Sequence, residues 1–198
     1  MKIGVLAIQG AFIEHIHMVK KLAKEFDDRI ECTEIRQKKD LDEIDGIILP
    51  GGESTVQGQL LKKLELFESL KQMIENGIPV LATCAGLILL AKRLENDDTC
   101  HFGTLPVTVR RNAYGRQLGS FKTYSSVGAI DDFPLVFIRA PYITEVASPD
   151  VYILSTVDSH IVGVEYKNQI GLAFHPEITN DGRIHSYFLK KVHNNIKH

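Results

Sequence analysis

Three side chains in this sequence could share acyl-transfer chemistry: Cys84, His175 and Glu177. Cys84 lies in "IPVLATCAGLILLAK" (78–92), one of the most apolar runs of the chain, with Ala82 and Gly86 two residues away on either side. A cysteine that only fills space needs no small neighbours, whereas one that projects from a tight bend does. The run reads as a strand (79–84) passing through Cys84 into a helix (86–95). A sharp strand-to-helix turn exposes a nucleophile above a sheet and crowds the positions two before and two after it. The helix start brings N–H groups and a positive dipole end to the sulfur, which favours thiolate. The N–H of Ala85 would point to where an oxyanion forms. The competing reading is an inert core cysteine, since free cysteine is among the most buried residue types.

The base is sought among eight histidines. His15 and His17 are two apart on a helix and diverge, a poor metal pair. His101, His160, His185, His193 and His198 fall in turns, strand ends or exposed helix. His175 differs: "GLAFHPEI" (171–178) is a strand ending in His-Pro-Glu. An extended segment points residues 175 and 177 the same way, and Pro176 stiffens it and biases His175 toward extended geometry. Glu177 can then accept one imidazole N–H while the other ring nitrogen faces a thiol, the orienter–base–nucleophile order of a triad. A third element is "LPGGEST" (49–55). Its glycines allow close backbone approach, so the Gly51–Gly52 backbone, Gly52 above all, is a second oxyanion donor. The same stretch also reads as a plain turn before a helix, with Ser54 or Thr55 as N-cap. Both can hold together.

These pieces need a scaffold. "KIGVLAI" (2–8), "DGIILP" (45–50) and "PVLATC" (79–84) are short continuous apolar runs, as in strands buried on both faces. Helical spacing predicts helices over 11–26, over 56–76 with Gly77 as its C-terminal cap, over 86–95 and over 182–196. "RIECTEIR" (29–36) alternates like a strand. Alternation of strands and helices predicts a parallel sheet covered on both faces, with ligands at the carboxyl ends of its strands. From residue 105 to 174 the runs are strand-like, which predicts an antiparallel annex and the last strands of the central sheet. No repeat or low-complexity linker divides the chain, so residues 1–198 read as a single domain.

Composition excludes several classes. Net charge is −2, so no global electrostatic case exists for nucleic acid or an acidic membrane surface; "VRRNAYGR" (109–116) is a short local basic patch. Cys32, Cys84 and Cys100 form no C-x-x-C pair, so they suggest neither a zinc site nor a disulfide framework, and they suit a reducing compartment. No stretch reaches the ~20 apolar residues that a spanning helix needs, and the N-terminal run lacks an A-x-A cleavage site. The expectation is a cytoplasmic protein.

"TCAG" (83–86), "PGGES" (50–54) and "HPE" (175–177) resemble the class I, triad-type glutamine amidotransferases. "IGVLAIQGAFIEHI" (3–16), "RRNAYGRQ" (110–117) and "FIRAP" (137–141) narrow the resemblance to the glutaminase subunits of pyridoxal 5′-phosphate synthases. The resemblance implies a flavodoxin-like three-layer α/β sandwich with a central, mostly parallel sheet. It implies Cys84 as nucleophile, His175 as base and acid, and Glu177 as orienter. Gly52, Glu53, Ser54, Arg111, Ile138 and Arg139 would line the L-glutamine site, and Gln9 would lie near a partner interface. The implied partner is the synthase (lyase) subunit, which builds pyridoxal 5′-phosphate from a pentose phosphate and glyceraldehyde 3-phosphate. No metal and no organic cofactor is implied for this chain. Ala82 stands where many members carry glycine, and alanine is still small enough for the elbow. Service to a histidine- or purine-pathway synthase is one rival reading, against which "RNAYGRQ" and "FIRAP" argue. A non-catalytic flavodoxin-like binding module is the other.

Overall fold

The computed structural model describes residues 1–26, 29–95, 97–113 and 120–197. The N-terminal half alternates strongly: β1 (Lys2–Leu6), α1 (Phe12–Leu22), β2 (Glu31–Ile35), β3 (Gly46–Leu49), α2 (Ser54–Lys63), α3 (Phe67–Glu75), β4 (Val80–Thr83) and α4 (Ala85–Leu90). Then come β5 (Ala91–Leu94), β6 (Leu105–Arg110), β7 (Ser120–Val127), β8 (Ile130–Ile138), β9 (Tyr142–Val146), β10 (Tyr152–Val157), β11 (His160–Tyr166) and β12 (Gln169–Leu172). Helix α5 (Arg183–Ile196) closes the chain.

One sheet has the order β2-β1-β3-β4-β12-β11-β9-β6-β5, with β10 paired to β11, and β7 and β8 form a separate two-stranded antiparallel sheet. The ladders joining β2, β1, β3, β4 and β12 are all parallel. Strands β11, β9 and β6 continue the sheet antiparallel. Every residue of β3, β4 and β12 is buried, which is why these segments are continuous apolar runs rather than alternating ones. Helices cover both faces. A Cβ on Gly46 of β3 would lie 2.6 Å from Val192 of α5, and one on Gly171 of β12 would lie 2.8 Å from Leu87 of α4. The register Ile47↔Val80↔Gln169 puts those two glycines on opposite faces, since side chains alternate along a strand. Among the described residues no helix is long and apolar enough to cross a membrane.

Two helix expectations fail, for physical reasons. The helix expected over 56–76 is two, α2 and α3. Leu61 is fully buried, and one continuous helix would next present Glu65 and Glu68 on its buried face. The apolar stripe instead resumes at Leu66, Leu70 and Ile74, all buried. The chain shifts phase through Glu65, whose φ is +57°. The helix expected over 86–95 ends at Leu90, and Ala91–Leu94 becomes β5, paired parallel with β6. "LILLAKRL" is a short apolar run of the kind whose periodicity does not separate helix from strand. The expected cap of the second helix is borne out: Gly77, at φ +92°, follows α3 and its N–H donates to Ile74 C=O.

Candidate active site

Strands β1, β3, β4 and β12 run parallel, so the segments that leave their carboxyl ends meet: Gln9–Gly10, Pro50–Gly52, Cys84 and His175. Cys84 follows β4 at φ +48°, ψ −101°, outside the relaxed regions for a residue with a side chain, and its N–H donates to Leu172 C=O at 2.8 Å. Strain of this kind is held only where the surroundings over-determine the bend. Gly86 supplies part of that constraint. A Cβ there would overlap the carbonyl oxygen of Leu49, at the end of β3, so α4 packs directly on neighbouring backbone.

Burial alone would keep His175 neutral, but hydrogen bonds with Cys84 and Glu177 outweigh it and push the imidazole up to about 10. Nδ1 of the ring is 2.7 Å from Glu177 Oε1, and both side chains are buried. Gly51 packs under the ring, and a Cβ at Gly51 would overlap His175 Cε1. The first glycine of "PGGES" is thus required by the His175 ring, a constraint that the sequence motif alone did not assign.

A cleft of about 470 Å³ opens over the sulfur, and its lining includes Cys84, His175, Gly52, Glu53, Ser54, Arg111, Ile138 and Arg139. The structure therefore brings together the expected substrate residues. Glu177 lies behind His175, buried, and Ala85 opens α4. Sequence reasoning did not single out Ala11, Ile88 and Asn112, which also line the cleft. Part of the stretch "RNAYGRQ", residues 114–117, lies outside the described residues. Arg111 is held by Asp97 and by Thr55 Oγ1.

The expected N-cap of α2 needs correction. Glu53, not Ser54 or Thr55, caps it, its carboxylate accepting from the N–H groups of Thr55 and Val56. The helix begins at Ser54, two residues before the start expected at 56, and Ser54 is its buried first residue. The loop before it is tied down. Gln9 Oε1 accepts from Glu53 N–H at 2.9 Å, and Gln57 Nε2 donates to the carbonyls of Gln9 and Pro50. Gly51 N–H donates to Thr83 Oγ1 at 3.1 Å, and Gly51 C=O accepts from Ala11 N–H at 3.0 Å. That leaves the Gly52 N–H without an acceptor among the described residues, the available donor of this loop.

The largest miss lies beneath Cys84, His175 and Glu177. His185, expected in an exposed or irregular position, is fully buried on α5, and so is His15 on α1. The signal was present: His185, Phe188, Leu189 and Val192 fall on one helical stripe, as do His15, Val19 and Leu22. Burial pushes His185 down to about 3. Burial, then the charges of His185 and His175, hold His15 well below the usual imidazole range. An unfolded histidine titrates near 6.5, so below that pH the unfolded state binds protons that the native state refuses, and stability falls. At pH 5 His185 alone contributes a loss of about 2 kcal/mol, and His15 adds to it with the same sign. His175, raised in the native state, contributes stability that is fully present below 6.5 and is lost as pH rises toward about 10. Between pH 7 and pH 5 its gain is under about 1 kcal/mol, so it offsets only part of the acid loss. Urea midpoints at pH 7 and pH 5 check this, with a clearly lower midpoint expected at pH 5. Equal midpoints would show that the buried pair is not held neutral.

Comparison with known proteins agrees with this geometry. A model of the SNO glutamine amidotransferase family matches residues 5–194. A pyridoxal 5′-phosphate synthase subunit PdxT of Desulfitobacterium hafniense (strain DSM 10664 / DCB-2) is 56% identical over 193 residues, covering 97% of this chain and 94% of the relative. The PdxT subunit of Bifidobacterium longum (strain NCC 2705) is 51% identical, covering 94% of this chain and 98% of the relative. A crystal structure of a glutamine amidotransferase superposes with a TM-score of 0.88 at 36% identity, covering 96% of this chain and 98% of that one. With a strained cysteine elbow, a His–Glu pair beside it and this match over nearly the whole length, the chain belongs to the SNO glutamine amidotransferase family.

Proposed function

We propose that this chain is a cysteine-dependent glutaminase, one domain over residues 1–198, that supplies ammonia to the synthase subunit of a pyridoxal 5′-phosphate synthase in the cytoplasm. The observation that carries the reading is the His175–Glu177 contact at 2.7 Å, with Cys84, at a strained elbow, interacting with the same ring. Cys84 attacks, as thiolate, the side-chain amide carbon of L-glutamine, its proton having passed to His175. The N–H groups of Ala85 and Gly52 hold the oxyanion. Collapse of the tetrahedral intermediate expels ammonia, which takes the proton from His175, and leaves a glutamyl thioester on Cys84. His175 then takes a proton from water, whose oxygen attacks the thioester, and glutamate leaves as the cysteine is restored. Glu53, Ser54, Arg111, Ile138 and Arg139 frame the substrate.

Ammonia free in solvent is protonated and lost to the recipient reaction, so the synthase subunit is expected to cover the cleft. The Gly51–Gly52 peptide is the switch. Turning its N–H into the oxyanion position breaks the Ala11 N–H bond to Gly51 C=O, a cost of about 1 kcal/mol. A partner that touches residues 9–12 acts on that same bond and shifts the population of the competent loop. Saturating synthase is expected to raise kcat for glutamine hydrolysis by ~10²-fold, the value of one oxyanion donor. An unchanged kcat would show that the loop is already competent. Absence of glutaminase activity in both conditions would overturn the function itself.

A further inference from the structure

Behind the triad lies a set of buried polar groups that the mechanism above does not use. His15 Nε2 is 3.2 Å from Thr83 Oγ1 and 3.4 Å from Glu177 Oε2, and His15 Nδ1 is 2.9 Å from His185 Nε2. These groups come from four elements: His15 from α1, His185 from α5, Thr83 from β4, and Glu177 with His175 from the segment after β12. Glu177 Oε2 and His185 Nδ1, near the two ends of this chain of contacts, have no hydrogen-bond partner among the described residues. No group of His, Cys, Asp and Glu among the described residues could hold a metal ion, so the cluster is not a metal site.

We propose that His15 is a positioning residue for Glu177, in the neutral form that carries its proton on Nε2. This rests on the reading of Glu177 as the orienter of His175. A buried carboxylate oxygen left without a donor is costly, and His15 Nε2 is the nitrogen beside it on the side away from His175. With the proton on Nε2, the N–H that donates to Thr83 Oγ1 also turns its positive end toward Glu177 Oε2 at 3.4 Å, a charge–dipole contact rather than a hydrogen bond. His15 Nδ1 then accepts from His185 Nε2–H, which leaves His185 Nδ1 and the Thr83 hydroxyl hydrogen without a partner among the described residues. The opposite tautomer instead points a lone pair at the carboxylate, which is repulsive at that distance. Burial keeps both rings neutral, as this arrangement requires.

The arrangement has a consequence for the oxyanion loop. Thr83 Oγ1, which receives the His15 N–H, is also the acceptor for Gly51 N–H. One imidazole thus faces the second oxygen of the Glu177 carboxylate and, through one hydroxyl, holds the first glycine of the loop.

Two measurements test the assignment. Long-range ¹H–¹⁵N correlation spectra of the wild-type chain report the tautomer directly and need no turnover. His15 and His185 are both expected as the Nε2–H form, and an Nδ1–H pattern at His15 overturns the proposal. Kinetics of the complex with the synthase subunit give the second arm. His15→Leu is expected to lower kcat by about 10-fold, the lower end of the scale for a polar contact to a charged group, with KM for glutamine nearly unchanged. His15→Gln, whose amide can restore a donor, is expected to recover most of that loss, although leucine fills apolar space better. Wild-type kcat in His15→Leu, or equal losses in both variants, overturns the proposal. If the wild-type complex itself releases no glutamate, the glutaminase reading has failed, and the tautomer spectra still decide the assignment.

Discussion

His175→Asn is expected to lower kcat for glutamine hydrolysis by ~10⁴-fold or more, the scale found when the base of a triad is removed. Asparagine keeps a polar group of similar reach but cannot accept and return a proton near neutral pH. The ring it replaces is buried against Cys84, Glu177 and Gly51, and its pKa is set by the first two. The folded chain should survive, because His175 N–H donates to Val136 C=O, a backbone bond that the substitution leaves in place. Glu177→Gln should lose less, since it retains an oxygen that can accept the Nδ1 hydrogen, while removing the charge that stabilises the imidazolium. Steady-state kinetics of both variants with saturating synthase, alongside circular dichroism, measure this. A His175→Asn enzyme within ten-fold of wild type would remove the histidine from its proposed role.

Gly86→Ala is expected to damage both stability and catalysis, against what helix propensity alone says. Alanine in a helix is favoured over glycine by about 1 kcal/mol, and Gly86 has no positive φ to forbid it. The obstacle is the neighbouring strand: the new methyl would overlap Leu49 C=O, with Leu49 Cβ also only 3.0 Å away. Backbone cannot swing aside as a flexible side chain can, so α4 and the end of β3 must separate. Overpacking of this sort costs about 1–3 kcal/mol. Leu49 leads directly into Pro50–Gly51–Gly52 and Gly86 follows two residues after Cys84, so the displacement reaches both halves of the oxyanion site. We expect a lower urea midpoint and a kcat reduced by ~10²-fold, the scale of one misplaced donor. A variant as stable and active as wild type would show that the elbow does not depend on this contact.

Much of this site was legible because local chemistry and topology agree. A cysteine flanked by small residues between a strand and a helix, and His-Pro-Glu after a buried strand, each locate a side chain at the carboxyl end of a parallel strand. The sheet then brings those ends together without further instruction. What stayed hidden depends on contacts remote in sequence. Nothing local to "ENDDTC" or "EHIHM" says that Asp97 holds Arg111 or that His15 reaches Thr83 and Glu177. The break in the helix expected over 56–76 was visible as a change of phase in the apolar stripe at Leu66, and was overridden by the overall helical spacing. The β5 segment was not, because Ala91–Leu94 is a strand only where β6 is available to pair with it.

The central claim is that Cys84 is the nucleophile, and limited alkylation by a glutamine-like electrophile followed by peptide mapping tests it most directly. Accessibility alone predicts the wrong answer, since Cys100 is exposed and Cys84 is buried. Cys32 is pushed up to about 11, chiefly by burial, with Lys20 opposing and Glu34 adding to the rise, and it should react slowly. The account predicts that Cys84 is labelled first, that glutaminase activity is lost in proportion to that label, and that L-glutamine protects it. Labelling of Cys100 or Cys32 at an equal rate, or a fully labelled Cys84 with turnover intact, would contradict it.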